Sequence, residues 1–478
     1  MQAPKSNSIL KTSKTKEMKS KILLFICAAA LMSSCHIYRK YERPEDMDTS
    51  GLYRDTVSET DTLVSDTANF GNLPWREVFT DPILQDLIEQ GLERNFDLQS
   101  ARLMIDEAKA ALMSAKISYA PAFTLAPQGT LSSFDKAPVS KTYQLPISAS
   151  WEIDLFGKKL NNKRAAKISF ENSVAYKQGV QTQLIASIAN TYYTLLMLDK
   201  QLEITKATAD VWLDNVETMR AMQVAGMTNM AAVTQSEATY ASILASIPDI
   251  ESSIRQSENA LSLLVGLPGQ TIERGDLYDQ QMPSEFSVGV PLHLLSNRPD
   301  VMMAEYSLAS AYYNTNIARS NFYPSITLSG TAGWTNSAGS VIVNPGKLIL
   351  QALGSLTQPI FARGANIAQL RIARAQQEEA KLAFQKALYS AGNEVSNALF
   401  SYNAACKKAG AYDMQVESLQ KASDYTKELF NLGTSTYLEV LTAEQSLLSA
   451  RLSQVANDFD CLQSAVTLYQ ALGGGRNE

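Results

Sequence analysis

The sequence predicts a mixed α/β membrane protein, internally duplicated, in which each half joins a short β-hairpin to a very long antiparallel helical hairpin. Three observations carry that prediction. Segments of the first half recur in the second at a nearly constant spacing. Four segments of about ten residues alternate, two strictly and two loosely, between apolar and small polar side chains. Helical stretches of about seventy residues then run between glycines and return with apolar residues at steps of three and four.

The duplication is read directly. Asn95-Phe96-Asp97-Leu98 resembles Arg298-Pro299-Asp300-Val301, and Tyr119-Ala120-Pro121-Ala122-Phe123-Thr124-Leu125 resembles Phe322-Tyr323-Pro324-Ser325-Ile326-Thr327-Leu328. Position 97 answers 300 and 121 answers 324, a shared offset of 203. Further on, Phe156-Gly157 answers Arg363-Gly364, and Asn190, Gly226, Glu237 and Gly266 answer Asn397, Gly433, Glu444 and Gly473, each 207 apart. The offset changes only between Leu125 and Gly157, which places the length difference in a loop there. Chance similarity between two coiled coils would not keep turn glycines in register.

Composition excludes several classes. With 45% apolar and 19% charged residues, the 478-residue chain can build a core and is not disordered. A net charge of −6 leaves no dense basic footprint for nucleic acid. Two histidines, His36 and His293, are little material for a metal or acid–base site. There is no P-loop, G-x-S-x-G, H-E-x-x-H or paired CxxC, so no catalytic residue, no metal site and no enzyme are expected.

The N-terminus reads as an export signal over residues 1–34. Lys14, Lys16, Lys19 and Lys21 precede the apolar run Ile22–Met32, which is too short to span a bilayer, and Ser33-Ser34-Cys35 follows. Met18 is an alternative start, because Met18-Lys19-Ser20-Lys21 alone supplies a basic lead. Small residues before Cys35 match a lipoprotein cleavage site, with Cys35 acylated; an ordinary signal with an incidental cysteine is the competing reading. Residues 35–74 then form a polar, lipid-anchored leader.

Repeat 1 is expected over 75–270. Trp75 opens a helical stretch with Leu84, Leu87, Ile88 and Leu92 on one face, followed by a β-hairpin at 121–156 and a helical hairpin turning near Gly226. Residues 271–296 link it to repeat 2 at 297–478. There Asn297 and Pro299 start a helix with the seam Val301, Ala304, Leu308, Ala311, Thr315, Ala318 and Phe322. A hairpin at 324–361 and a second helical hairpin turning near Gly433 complete it. In the strands, Leu145, Ile147, Ala149, Trp151, Ile153 and Leu155 alternate with Gln144, Pro146, Ser148, Ser150, Glu152 and Asp154. Likewise Ile326, Leu328, Gly330, Ala332 and Trp334 alternate with Ser325, Thr327, Ser329, Thr331 and Gly333, whereas 121–134 and 348–361 fit more loosely. A half-buried soluble sheet gives the same local pattern; the small polar face and the lack of further strands to pack against favour membrane. The returning helices carry Leu448, Leu452, Val455, Phe459, Leu462, Val466 and Tyr469, and Ile243, Ile247, Ile250, Ile254, Leu261 and Leu264 with Ser257 filling a gap and a kink expected at Pro248.

Four strands cannot close a barrel, and open edges are not tolerated in lipid, so the chain must oligomerise through those edges. Two copies give eight strands with a filled interior, three give twelve that can leave a channel.

At this point the chain resembles the TolC-like outer-membrane factors, lipoprotein branch, which serve RND-type (NodT/OprM-like) multidrug efflux. The resemblance rests on Trp75-Arg76-Glu77-Val78-Phe79-Thr80-Asp81-Pro82, Trp151-Glu152-Ile153-Asp154-Leu155-Phe156-Gly157, Asn297-Arg298-Pro299-Asp300-Val301 with Ala304-Glu305, Gln358-Pro359-Ile360-Phe361 and Tyr469-Gln470-Ala471-Leu472-Gly473-Gly474-Gly475. It implies a homotrimer with a twelve-stranded β-barrel in the outer membrane and a coiled-coil α-barrel in the periplasm. Residues 36–96, 267–296 and the C-terminal tail would form an equatorial belt. It further implies a periplasmic adaptor and an inner-membrane RND transporter as partners, and no cofactor beyond the lipid on Cys35. The implied function is a passive exit duct for small molecules or drugs. Alternatives are a duct for type I protein secretion or for metal ions and, in another class, a structural coiled-coil periplasmic lipoprotein.

The resemblance assigns adaptor contact to the tips Gly226, Met227, Thr228, Gly433, Thr434 and Ser435, although glycines at a tight reversal are also explained by the turn itself. It places a periplasmic gate at Leu438 and Glu439, with Thr442 where the family usually has Asp; a solvated helix glutamate is the plain alternative. Met219, Met222, Met227 and Met230 cluster near the first tip, where adaptable packing competes with binding of soft ions. Cys406 and Cys461 lie 27 and 28 positions from Gly433 on opposite arms, at similar heights, as a disulfide or as two buried thiols.

Overall fold

The computed structural model describes residues 38–44, 70–135, 138–280, 298–335 and 347–475. The signal segment, Cys35, His36, His293, Asn297, most of the leader and most of the linker lie outside the described residues. Two compact units divide the chain: a strand unit containing Asp106–Asn172 and Ala304–Ala383, and a helical unit containing Ser173–Met303 and Phe384–Glu478.

Helices and strands recur at the offsets read from the sequence. Short α1 (Trp75–Val78) and α2 (Pro82–Arg94) lead into α3 (Phe96–Ile117), matched in repeat 2 by α6 (Pro299–Ser320), also 22 residues. The stretch opening at Trp75 is thus three helices, cut where Pro82 starts a new one under the Asp81 cap and where Asn95 breaks the next. Helix α4 (Lys158–Val224) and α7 (Ala365–Asn431) have 67 residues each, and α5 (Met230–Leu264) and α8 (Tyr437–Ala471) have 35 each. Pro248 sits inside α5 without ending it. Among the described residues, no helix is long and apolar enough to cross a membrane.

The strand unit is an antiparallel sheet of β1 (Ala122–Leu125), β2 (Gln128–Ser132), β3 (Ser140–Ile153), β4 (Ser325–Thr335) and β5 (Lys347–Thr357). β1 and β2 both pair with β3 in one continuous register, Leu125 opposite Ile147 and Gln128 opposite Gln144, so the five segments are four staves. The break falls at Ala126-Pro127. Pro146 on β3 faces the same gap: its carbonyl accepts from the Ala126 N–H at 3.3 Å, and, lacking an N–H, it cannot return the second bond of that pair. The strands end earlier than expected, at Ile153 and Thr357, and Gln358-Pro359-Ile360-Phe361 lies beyond β5.

Below each hairpin the two repeats use the same tie. Trp151 Nε1 donates to Tyr119 O at 2.8 Å, and Gln358 Nε2, at the equivalent position, donates to Phe322 O at 3.1 Å. In the same unit the leader runs along α6: Tyr313 OH accepts from the Tyr41 N–H at 3.2 Å, and Arg43 pairs with both oxygens of Glu305.

In the helical unit, the segment just before α1 meets the last helix. Tyr469 OH donates to Leu73 O at 2.9 Å while its ring meets Phe70 and Phe79 edge-on. Asp81 caps α2 through the Ile83 N–H and accepts from Tyr192 OH and Gln280 Nε2, so one carboxylate joins three segments. The seam on α8 is displaced from the expected one. Val455, Leu462, Val466 and Tyr469 are buried, but toward the tip Leu441, Leu447 and Ala450 replace the half-buried Leu448. A strict seven-residue repeat drifts about 20° per heptad around a straight helix, so the buried face migrates over five turns. In α6, Val301, Leu308, Thr315 and Ala318 are buried, whereas Phe322 lies past the helix end and is exposed.

Candidate functional site

The two hairpin tips are built alike. Gly226 and Gly433 take φ values of +76° and +77°, the left-handed region that only glycine occupies without cost. Each ends its helix with the same bond five residues back: Met227 N–H to Met222 O at 2.8 Å, Thr434 N–H to Leu429 O at 2.9 Å. No atom lies within 4 Å of where a Cβ would stand on either glycine. Around them the tips expose apolar side chains to water, Met227 at 72%, Leu432 at 70% and Leu438 at 67%.

The returning helices start differently. Asn229 caps α5 by accepting from the Ala232 N–H at 3.1 Å. At the equivalent Thr436, the carboxylate of Glu439 reaches back to the backbone N–H at 2.8 Å and also accepts from Ser435 Oγ. Those two bonds, Ser435 first, lower the Glu439 pKa below the usual carboxylate value. Glu439 therefore has a local task in the second tip besides any role in a pore.

Above the tips the two hairpins are joined. Trp212 and Ala209 of α4, Ile243 of α5 and Leu441 of α8 form a buried cluster flanked by Tyr240, Ile247, Tyr437 and Leu448. Ser236 Oγ donates to Tyr437 OH, and burial raises the Tyr437 pKa above that of a free phenol. Each hairpin also carries a cation–carboxylate tie at equivalent positions. Arg220 pairs with Glu237 at 2.7 Å in solvent, while Lys427 pairs with Glu444 at 2.5 Å where Glu444 is buried and also accepts from Ser423 Oγ. The sequence marks Glu237 and Glu444 as equivalent but not their partners, although Arg220 and Lys427 stand at the same offset. The four methionines are divided rather than gathered: Met219 is buried and Met222 half-buried, whereas Met227 and Met230 are exposed. Cys406 and Cys461 do come together, with Sγ atoms 3.2 Å apart and no bond between them.

The sheet supplies the second functional surface. Across β3 and β4, Leu145 faces Trp334, Ile147 faces Ala332, Trp151 faces Leu328 and Ile153 faces Ile326; β5 continues the row with Leu348, Leu350, Ala352 and Leu356. Phe123 and Leu125 extend it on β1. The other face carries Ser148 opposite Thr331 and Ser150 opposite Ser329. The apolar row is open to its surroundings, with Phe123 at 71% and Leu350 at 73% exposure. Among the described residues, β1/β2 and β5 each pair on one side only. An apolar, exposed sheet with two open edges is suited to a bilayer and to neighbouring copies, and to no monomer in water.

Comparison with known proteins agrees with this geometry. The family described as outer membrane efflux protein matches residues 87–267 and 290–474. The chain belongs to that family. Among its relatives, the cation efflux system protein CusC of Escherichia coli is 27% identical over 460 residues, covering 95% of this chain and 99% of CusC. The toluene efflux pump outer membrane protein TtgC of Pseudomonas putida is 26% identical, covering 96% of each. The open-state MtrE outer membrane channel of Neisseria gonorrhoeae superposes with a TM-score of 0.81 at 27% identity, covering 92% of this chain and 98% of MtrE. As a member of the outer membrane efflux family, the chain has the TolC-like α/β-barrel fold and is the outer-membrane factor of an RND-type efflux system. It is a passive channel component and not an enzyme; the strands lie in the outer membrane and the helical hairpins in the periplasm.

Proposed function

We propose that three copies of the chain close one duct, twelve staves forming a β-barrel in the outer membrane and six helical hairpins forming a periplasmic tube. The observation that carries this reading is the four-stave sheet, apolar on one exposed face and, among the described residues, unpaired at both edges. Three copies pair every edge and enclose a lumen lined by the serine and threonine face; two copies would fill it with side chains. Cys35 would carry the lipid that holds the leader in the membrane. The tips at Gly226, Met227, Thr228, Gly433, Thr434 and Ser435 would dock a periplasmic adaptor, and through it an inner-membrane RND transporter would deliver small molecules. Leu438 and Glu439, threefold repeated, would ring the periplasmic mouth.

The test is single-channel conductance of the purified protein in a planar bilayer, with the mass of the conducting species measured in detergent. Steady conductance from a species of three chains is expected; a non-conducting monomer sinks the reading. Soft metal ions are a second cargo reading, favoured by the likeness to CusC and by the exposed thioethers of Met227 and Met230. Rescue of a channel-deficient host against copper(I) or silver(I), and not against organic solvents, would select it.

A further inference from the structure

We propose that Cys406 and Cys461 are a disulfide site of the exported chain, a covalent staple between α7 and α8 within one subunit. Their Sγ atoms lie 3.2 Å apart across the antiparallel pair. Neighbouring polar ties hold the two helices in the register that brings them together: Asn457 Nδ2 donates to Ala405 O at 3.1 Å, and Gln454 Nε2 donates to Asp413 Oδ1 at 2.7 Å. The hairpin stands in the periplasm, a compartment where paired thiols are oxidised. Of the four cysteines in the chain, Cys27 falls in the expected signal segment and Cys35 at the expected acylation site. On that reading the mature chain leaves Cys406 and Cys461 no other cysteine of their own subunit.

The duplication supplies an independent argument. At the offset of 207, Cys406 answers Asp199 and Cys461 answers Ile254. Asp199 is itself part of a cross-tie: Arg274 holds it through two nitrogens and reaches Glu258 on α5 with Nη1 at 2.6 Å. The first hairpin is therefore clamped at this level by an ionic bridge. The equivalent of Glu258 is Ala465, so the second hairpin has no carboxylate there and carries two facing thiols instead.

The chemistry is a dithiol–disulfide exchange with a periplasmic thiol oxidoreductase that carries a disulfide. Cys406 is exposed, whereas burial and the neighbouring Cys406 push the Cys461 thiol up to about 12. Cys406 is then the entering group. It loses its proton, its thiolate attacks one sulfur of the oxidoreductase disulfide, and a mixed disulfide forms as the other oxidoreductase sulfur leaves as thiolate. Cys461, giving its proton to that thiolate or to water, attacks Cys406 Sγ; the Cys406–Cys461 bond forms and the oxidoreductase leaves as a dithiol. Two thiols of the chain lose two electrons and one disulfide of the partner gains them. The product fixes the axial register of α7 against α8, the hairpin that ends in Gly433.

The experiment is differential alkylation of the full chain, exported and purified without reductant. Free thiols are blocked with a maleimide in denaturant, the sample is reduced, and a second maleimide of different mass is added before peptide mapping. We expect both cysteines to carry the second label, a Cys406–Cys461 linked peptide in the unreduced digest, and first-label modification of the remaining cysteine in Cys406→Ser and Cys461→Ser. A Cys406→Ser/Cys461→Ser chain reports separately on Cys35, so an error in the acylation reading cannot be taken for failure of the staple. First-label modification of both cysteines in the parent chain overturns the proposal. So does a covalent dimer or trimer on a non-reducing gel that Cys406→Ser abolishes.

Discussion

Arg298 donates from Nη1 to the carbonyl of Ala471 at 2.7 Å, so the residue just before the first helix of repeat 2 holds the last residue of its final helix. Repeat 1 does the same with a neutral side chain: Asn95 Nδ2 donates to Leu264 O at 3.0 Å, at positions offset by 203 and 207. A helix end leaves carbonyls without internal partners, and each repeat closes that gap with the residue directly before its 22-residue helix, Asn95 before α3 and Arg298 before α6. Duplication kept the bond and changed the donor.

The change of donor makes the two clamps unequal. Arg298 is buried and is also held by Asp300 at 2.8 Å and Glu394 at 2.5 Å. Both carboxylates are about half exposed and can return to water, so Arg298→Ala is expected to cost about 2 kcal/mol, near the value of a charged hydrogen bond. Asn95→Ala is expected to cost about 1 kcal/mol. Arg298→Lys keeps the charge but not the fork that reaches three acceptors, and should recover less than half of the loss. Thermal unfolding in detergent, followed by the helical circular dichroism signal, checks the order.

The paired ties above the tips give a differential prediction. Arg220 and Glu237 are both well exposed, and an exposed pair of this kind contributes about 0.5 kcal/mol. Glu444 is 7% exposed and holds both Lys427 and the buried Ser423, so its removal leaves a buried hydroxyl unpaired. We expect Glu444→Ala to cost about 2 kcal/mol and Glu237→Ala about 0.5 kcal/mol, the first nearly independent of salt and the second vanishing at about 1 M salt. Urea unfolding midpoints at low and high salt test the pair; equal losses would remove the distinction.

What is legible in the sequence is whatever repeats or breaks a period. Gly226 and Gly433 mark the tips because a reversal needs positive φ, and the strand faces show because alternation has a period of two. Even the split first stave is written in Pro127 and Pro146, though neither announces a break by itself. The burial of Glu444, the clamp from Arg298 and the bond from Ser236 to Tyr437 are not legible, because each depends on a partner brought in by the fold at no fixed sequence distance. Leu448 falls in the expected seam only because a period of 3.5 is carried across five turns of a helix whose own period is 3.6. Glu439 is readable as a gate only through resemblance, while its capping role lies in plain local spacing, Thr436-Tyr437-Leu438-Glu439.

Asp458 predicts a pH dependence of stability. Burial first, and the charge of Asp413 second, raise its pKa from 3.8 to about 6. A carboxyl whose folded pKa is raised binds its proton more tightly when folded, so the contribution of Asp458 to stability is complete below about 4 and is lost as pH climbs through about 6. Two units correspond to about 3 kcal/mol; solvent reaches the group, so we expect about 1 kcal/mol. Asp458→Asn should raise the unfolding midpoint at pH ~8, leave it unchanged at pH ~3.5 and flatten the profile between. A variant no more stable than the parent at the higher pH contradicts the assignment.

Glu439 separates capping from gating. Its carboxylate is held by Ser435 and the Thr436 N–H, and those bonds lower its pKa by favouring the ionised form. The sign follows: the cap's contribution is complete above the ordinary glutamate value and is lost as pH falls through the lowered one. Glu439→Gln retains an oxygen for both bonds and removes only the charge. If three such carboxylates ring the mouth, the variant should keep its amide exchange protection at Thr436 and lose cation-over-anion preference in a planar bilayer by severalfold. Unchanged ion preference with an intact cap would leave Glu439 as a helix-starting residue and move the gate elsewhere. Glu439→Ala should fray the start of α8 whichever holds, seen as faster exchange at Thr436, and so calibrates what loss of the cap alone does to conductance.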